Sequence, residues 1–345
     1  MAIFERHRYL LMTLDPVHIG TGGYRLGRVD NSIVREPGTR VPKIPGTALH
    51  GAARSYASRL YEDLAAAGKD HENVTYPATN PVCYTFGYTK GGETEAGEEK
   101  TETYSGVINV FDAQLLLFPV HSMYGPVWVS TRQRLKGVGF TVDESPNNAE
   151  SSQDIGACFL SWSRTDPLNL GWLMLTVGGQ VTVTAPDAWQ GECWDTVKER
   201  LILVSEALFS QVVNSNLEVR TSVSIDPWRG AAAEGALFTY EALPRSTFLT
   251  LEIVVDDYRQ TFPSPALLRH WSTLTEEDKK TLKSWDNDGV AEASRKFEAL
   301  GLAWEGPAHV FRAGLEMLAW LGVGGMGTRG FGRLALVGDS IISPS

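Results

Sequence analysis

The chain has 345 residues, 43% of them hydrophobic and 21% charged, with a formal net charge of −10. That length and composition suit a globular protein with a substantial core, built as one large domain with insertions or as two smaller ones. Three widely spaced cysteines argue against a disulfide framework and for a reducing, cytoplasmic setting, and no stretch approaches the length of a membrane span or a secretion signal.

The acidic balance runs against nucleic-acid binding, which usually wants a basic surface. The charges are unevenly spread, however. Five glutamates crowd into residues 91–103 and more acids gather in LTEEDKK around Glu276, while basic residues concentrate between Arg25 and Arg54 and at Arg329 and Arg333. The net figure therefore decides little.

In chain order, residues 8–14 predict an opening strand that runs into the glycine-rich loop HIGTGGYRLG. TALHGAARSYASRLYEDLAAAG predicts a helix with Leu49, Ala52, Ala53, Tyr56, Leu60 and Leu64 on one face and His50, Arg54 and Ser58 on another, stopped at Gly68. Residues 88–103 read as a solvated loop. Val107–Val120 is apolar, PVWVST reads as a strand, and 138–157 as a second exposed insertion. Glu192–Val213 predicts one helix. Strands within 219–255 frame a hairpin-like excursion, DPWRGAAAEGALFTYEALP. Thr273–Ala299 predicts a charged helix, and Val310–Trp320 a short apolar one that leads into GVGGMGTRGFGR. The irregular alternation indicates an α+β fold, an antiparallel sheet with helices on one side and long loops between.

Gly322-x-Gly324-x-x-Gly327 satisfies the dinucleotide fingerprint by letter, but a helix precedes it, a strand (RLALVG) follows, and no βαβ unit fits. Gly46-TALH-Gly51 approaches a phosphate loop but continues with Ala52 and Ala53, where lysine and a hydroxyl are required. Zinc-ligand spacings and a GxSxG elbow are missing. Two glycine loops that each carry arginine and an aromatic suit close backbone approach to a polyanion such as RNA.

Five segments in register carry a resemblance: HIGTG, VDNSIVREPGTRVPKIPGTALHGAAR, SGVINVFDAQLLLFPVHSMYG, GALFTYEALP and GVGGMGTRGFGR. Together they resemble the RAMP superfamily of CRISPR effector proteins, specifically the type III backbone subunit. FDAQLLLFPVHSMYG is closer to the Cmr (III-B) branch, VDNSIVREP to a Csm or III-D variant. The resemblance implies a single RAMP domain over 1–345, with an RRM-like (ferredoxin-like) palm and a β-hairpin thumb at about 219–245. It also implies insertions at 68–104, 138–157 and 264–300, and a glycine loop at 322–332. It implies binding of guide RNA (crRNA) and cleavage of complementary target RNA by attack of the 2′-OH, with head-to-tail copies and other effector subunits as partners.

By the same resemblance Asp30 is the catalytic residue and would hold Mg²⁺ or another divalent cation, with His18 beside the target. A lone carboxylate with phosphate oxygens and waters is an ordinary Mg²⁺ site. The plainer alternative makes Asp30 a loop acid bonded to nearby amides or to Arg28 or Arg35, and His18 a loop-structuring histidine. Lys43, Thr47, His50 and Arg54 would grip guide phosphates, although histidine replaces the family's lysine at His50. Ser122 and Tyr124 of HSMYG, Tyr240 and Glu241 of the thumb, Trp228 at its tip, and Gly325 and Arg329 of the glycine run complete the expected RNA contacts. Rival readings are a RAMP subunit without nuclease activity, a guide-processing endoribonuclease, and a metabolic enzyme that binds no nucleic acid.

Overall fold

The computed structural model describes residues 4–22, 29–68, 71–93, 99–144, 156–275, 277, 279, 282 and 284–344. Arg25 and Arg28 of the first glycine loop, residues 94–98 of the acidic stretch, 145–155 of the second insertion, and Glu276 lie outside the described residues. Nine elements frame the site: β1 (Phe4–Thr13), α1 (Gly46–Leu60), β2 (Ala113–Ser122), β3 (Gly125–Ser130), β4 (Glu218–Asp226), β5 (Ala231–Ala242), β6 (Phe248–Asp256), α2 (Asn287–Leu300) and α3 (Pro307–Glu316).

A 13-stranded sheet carries the fold. β1 lies inside it, antiparallel to β6 on one edge and to Leu334–Leu336 and Ile341–Pro344 on the other. The period of two sends Tyr9 and Leu11 into one core and Leu10 into another. β6 continues to β2, and β2 turns back as β3. Beyond β3 come Leu201–Leu203, Ala157–Leu160, Leu173–Thr184 and Leu168–Leu170, with two parallel pairings among otherwise antiparallel ones. A bulge opposite Phe248 and Leu249 skips Leu116, so that Leu116 and Leu117 both enter the second core.

The class is α+β, as expected, but helices cover both faces of the sheet rather than one. On the first face α1 packs Leu49, Ala53 and Ala57 against Val310, Phe311 and Leu315 of α3. A Cβ at Gly314 would lie 2.1 Å from the Ala53 carbonyl oxygen, so the two helix backbones touch there. On the second face Leu135, Phe140, Trp189, Trp194 and Val197 form a core of their own.

Two sequence expectations are corrected. The helix expected over Glu192–Val213 is two helices, Glu192–Lys198 and Glu206–Ser215, separated by the fully buried strand Leu201–Leu203. A run as short as LILV satisfies both helical and strand patterns, and its place between two other strands settles the outcome. The solvated loop expected at 88–103 is a β-hairpin, Gly87–Glu93 with Glu99–Ser105. The second insertion is flanked by sheet strands, Thr141–Glu144 and Ala157–Leu160. Among the described residues no helix is long and apolar enough to cross a membrane.

β4 and β5 form a separate two-stranded antiparallel ribbon that projects as the expected hairpin. Asp226 shapes its tip: the side chain accepts from the Trp228 amide (2.9 Å) and the carbonyl from the Gly230 amide (2.9 Å).

Candidate functional site at the root of the hairpin

Three consecutive residues of β5, Thr239, Tyr240 and Glu241, organise the site. The loop after β1 runs beside them as a short parallel bridge, Asn31 to Tyr240. The Asn31 amide donates to the Thr239 carbonyl (3.0 Å) and the Glu241 amide to the Asn31 carbonyl (3.0 Å). One residue earlier, Asp30 is exposed and its carboxylate is held from one side. Its Oδ2 accepts from both the Thr239 amide and the Thr239 hydroxyl, each at 2.8 Å. The same hydroxyl accepts from the Asp30 amide at 2.9 Å. These two Thr239 bonds hold the Asp30 carboxyl below the usual carboxylate range, so it is ionised at neutral pH. Oδ1 has no hydrogen-bond partner among the described residues.

Glu241 points inward. Its carboxylate pairs with Arg35 (2.6 Å) and accepts from the Ile33 amide (3.2 Å), while Arg35 also donates to Asn214 (2.8 Å) and to the Ile33 carbonyl (2.9 Å). Glu241 is therefore a buried clamp on the Asp30 loop, not a side chain facing RNA. Arg35 belongs to Glu241, and the carboxylate of Asp30 is left to Thr239.

His18 is buried, and its Nδ1 donates to the Glu241 carbonyl at 2.7 Å. Its ring meets Tyr240 edge-on at 5.5 Å. The Gly325 amide bonds the His18 carbonyl (3.0 Å), and a Cβ at Gly324, where φ is +85°, would lie 2.5 Å from that same oxygen. The second glycine run thus closes on the first loop. Its far end is tied by the Gly332 amide to the Pro16 carbonyl (2.9 Å) and by an Arg333–Asp15 ion pair. Here the glycines permit backbone to approach backbone, a use the sequence did not reveal. Gly325 itself remains exposed, as does Arg329, which donates to Ser222 of β4 at 3.2 Å.

The start of α1 differs from expectation. Arg54 is buried and spends its guanidinium on three carbonyls, those of Ala66 (2.7 Å), Phe86 (3.4 Å) and Gly87 (2.9 Å), so it fastens the segment that covers α1 and offers nothing to a phosphate. His50 packs edge-on against Phe86 at 5.1 Å, and burial, reinforced by Arg54, keeps it neutral. Lys43 bridges Asp112 (2.5 Å) and Glu36 (2.8 Å), and these bonds raise its affinity for the proton. Asp112 also accepts from the first amide of α1, that of Gly46 (2.8 Å). Thr47 alone of the four is exposed.

Ser122 is buried in the β2–β3 turn, donating to the Gly125 carbonyl (2.8 Å) and accepting from the Tyr124 amide (3.2 Å). Tyr124 carries the Arg164 guanidinium over its ring at 3.7 Å. Trp228 stands 95% exposed at the hairpin tip. The structure thus brings His18, Asp30, Tyr240, Glu241 and Gly325 together at the hairpin root. Lys43, His50 and Arg54 are engaged elsewhere, and Ser122 and Tyr124 belong to a separate turn. Thr239 is the residue that sequence reasoning missed. Its one visible signal was its place immediately before Tyr240 and Glu241.

Among the described residues no three His, Cys, Asp or Glu side chains gather to hold a metal ion. Asp30, with one oxygen unshared, has the donor character of a single-carboxylate Mg²⁺ site completed by phosphate and water.

Comparison with known proteins agrees with this architecture. The chain is 25% identical over 258 residues to the CRISPR system Cmr endoribonuclease Cmr4 of Pyrococcus furiosus, covering 71% of this chain and 80% of that protein. A 53-residue stretch, 15% of this chain and 22% of the other, is 45% identical to the CRISPR system Cms endoribonuclease Csm3 of Mycobacterium tuberculosis. The cryo-EM structure of the type III-B Cmr-beta bound to cognate target RNA shares the fold, with a TM-score of 0.55 at 14% identity and 96% of each chain covered. The RAMP superfamily model matches residues 10–335, nearly the whole sheet, the hairpin and both glycine loops, and the chain belongs to the RAMP superfamily.

Proposed function

We propose that this chain is a backbone subunit of a type III CRISPR RNA-guided effector complex. It binds guide RNA, polymerises head to tail with copies of itself beside other effector subunits, and cleaves complementary target RNA. The superfamily membership and the likeness to two CRISPR endoribonucleases support the reading. The observation that carries it is the Asp30 carboxylate, ionised, exposed and fixed at the root of a projecting hairpin.

RNA brings its own nucleophile. The 2′-oxygen attacks the neighbouring phosphorus, the P–O5′ bond breaks, and the products are a 2′,3′-cyclic phosphate and a 5′-OH. The protein then has only to orient the strand and handle charge and protons. Asp30 would do so by accepting the 2′-OH proton or by holding a divalent cation through Oδ1. Such a cation, when bound, neutralises charge on the phosphate. His18, buried and bonded to Glu241, serves as a positioning group for the loop. Trp228 at the tip, and Arg329 and Thr47 on the surface, are the RNA contacts that remain open, whereas the Gly325 amide is taken by the His18 carbonyl. The neutral His50 and the paired Lys43 leave the α1 start a weaker phosphate grip than a free lysine would.

The test is reconstitution with a guide RNA and a complementary target in Mg²⁺. Asp30→Ala should lower cleavage by at least about 10²-fold with guide binding and assembly intact, and wild-type products should end in cyclic phosphate. Assembly without cutting by the wild type would select a structural, non-catalytic subunit. Loss of guide binding in Asp30→Ala would sink the catalytic assignment.

A further inference from the structure

We infer that Thr239 is the positioning residue for Asp30, and that it locks the carboxylate to the seat of the β4–β5 hairpin. This rests on the reading of Asp30 as catalytic. A free aspartate in a loop rotates about two bonds, and here both ends of that freedom are removed by one residue. The Thr239 hydroxyl accepts from the Asp30 amide and donates to Oδ2, and the Thr239 amide donates to Oδ2 as well. Backbone and side chain of Asp30 are thus closed into rings through a single Cβ. The β-branch of threonine restricts χ1, so the hydroxyl is presented in a narrow range of directions.

Thr239 is a ribbon residue before it is a site residue. It pairs across the hairpin with Thr221 of β4. Its carbonyl accepts from the Asn31 amide, and two residues on, Glu241 grips Ile33, Arg35 and His18. The loop is therefore bound to β5 by the isolated bridge at Asn31 and, further on, by the Glu241 side chain. Any shift of the ribbon when RNA seats against it carries Thr239 and the carboxylate with it. The reactive oxygen keeps a fixed offset from the hairpin because short bonds to backbone, rather than long flexible side chains, set that offset.

The experiment uses the complete guide-loaded complex and single-turnover cleavage at saturating target, with target affinity and assembly measured beside it. Thr239→Val keeps the shape and removes the hydroxyl; Thr239→Ser keeps the hydroxyl. Thr239→Val should slow cleavage by roughly tenfold to a hundredfold, the scale of a misplaced reacting group, with target affinity and assembly unchanged within about twofold. Thr239→Ser should restore the rate to within about threefold of wild type, given that the orienting bond survives. A wild-type rate in Thr239→Val would overturn the inference, as would a Thr239→Ser variant no faster than Thr239→Val. Failure of Thr239→Val to assemble would also overturn it, by making the hydroxyl a requirement of folding. Asp30→Ala run in parallel separates the two claims. If it cleaves normally, the reading of Asp30 falls; if it is inert while Thr239→Val is fast, only the positioning role falls.

Discussion

The two ends of the β4–β5 hairpin are built on opposite terms. At the root, Thr239 and Glu241 have their polar groups bonded to the Asp30 loop, and Glu241 is buried. Toward the tip, Val223, Ile225 and Leu237 are exposed, with Val223 directly opposite Leu237, and Trp228 stands clear of the protein. A two-stranded ribbon alone is marginal in water. The root supplies the missing order, and the apolar surface further out is what a partner can cover. The contrast separates residues that hold the site from residues left open to a partner.

The largest effect should come from the root. Glu241→Ala leaves Arg35 without its carboxylate in a nearly buried setting and should cost about 3 kcal/mol of stability, read by chemical denaturation. A loss below ~1 kcal/mol would mean that the root is not the anchor described. Trp228→Ala should leave stability within ~0.5 kcal/mol of wild type, because the side chain touches so little of its own chain. It should weaken target RNA binding by about 1–3 kcal/mol if the ring stacks on a base. An unchanged target affinity would remove Trp228 from the RNA surface. The smallest effect concerns the glycine run. The hydrogen bond from Arg333 holds the Asp15 carboxyl below its usual range. A depressed folded-state pKa contributes stability above the unfolded pKa, and that contribution is lost as pH falls through the folded value. With Arg333 43% exposed, the pair should be worth less than ~1 kcal/mol. Asp15→Asn should therefore be slightly weaker than wild type near neutral pH, and the difference should shrink as pH falls below the ordinary aspartate range.

Much of this was legible in the sequence, and unevenly. The Asp30 loop, the hairpin and the closing glycine run stand in contiguous segments whose order identifies the superfamily. The strand and helix periods located β1, β3 and most of α1. What failed were statements about which side of an element is covered. Arg54 shares a helix face with His50 and Ser58 that looks polar, yet the chain at Ala66 and at Phe86 and Gly87 lies over it and supplies the carbonyls its guanidinium needs. Nothing in a helical period announces a distant segment laid across that face. Thr239 escaped for a related reason: threonine in an alternating strand looks like ordinary β-structure, and its partner is 209 positions away.

That separation sets an order of events during synthesis. The loop bearing Asp30 leaves the ribosome early, but the strand that fixes it, and the β6 and C-terminal strands that enclose β1, are made far later. Local contacts cannot assemble this region, so the nascent chain waits with an unpaired first strand and an unplaced carboxylate, in the slow, aggregation-exposed regime of high contact order. A nascent fragment that stops short of the hairpin therefore lacks the Thr239 partner of Asp30, and the site is organised only once the later strands have closed over the first.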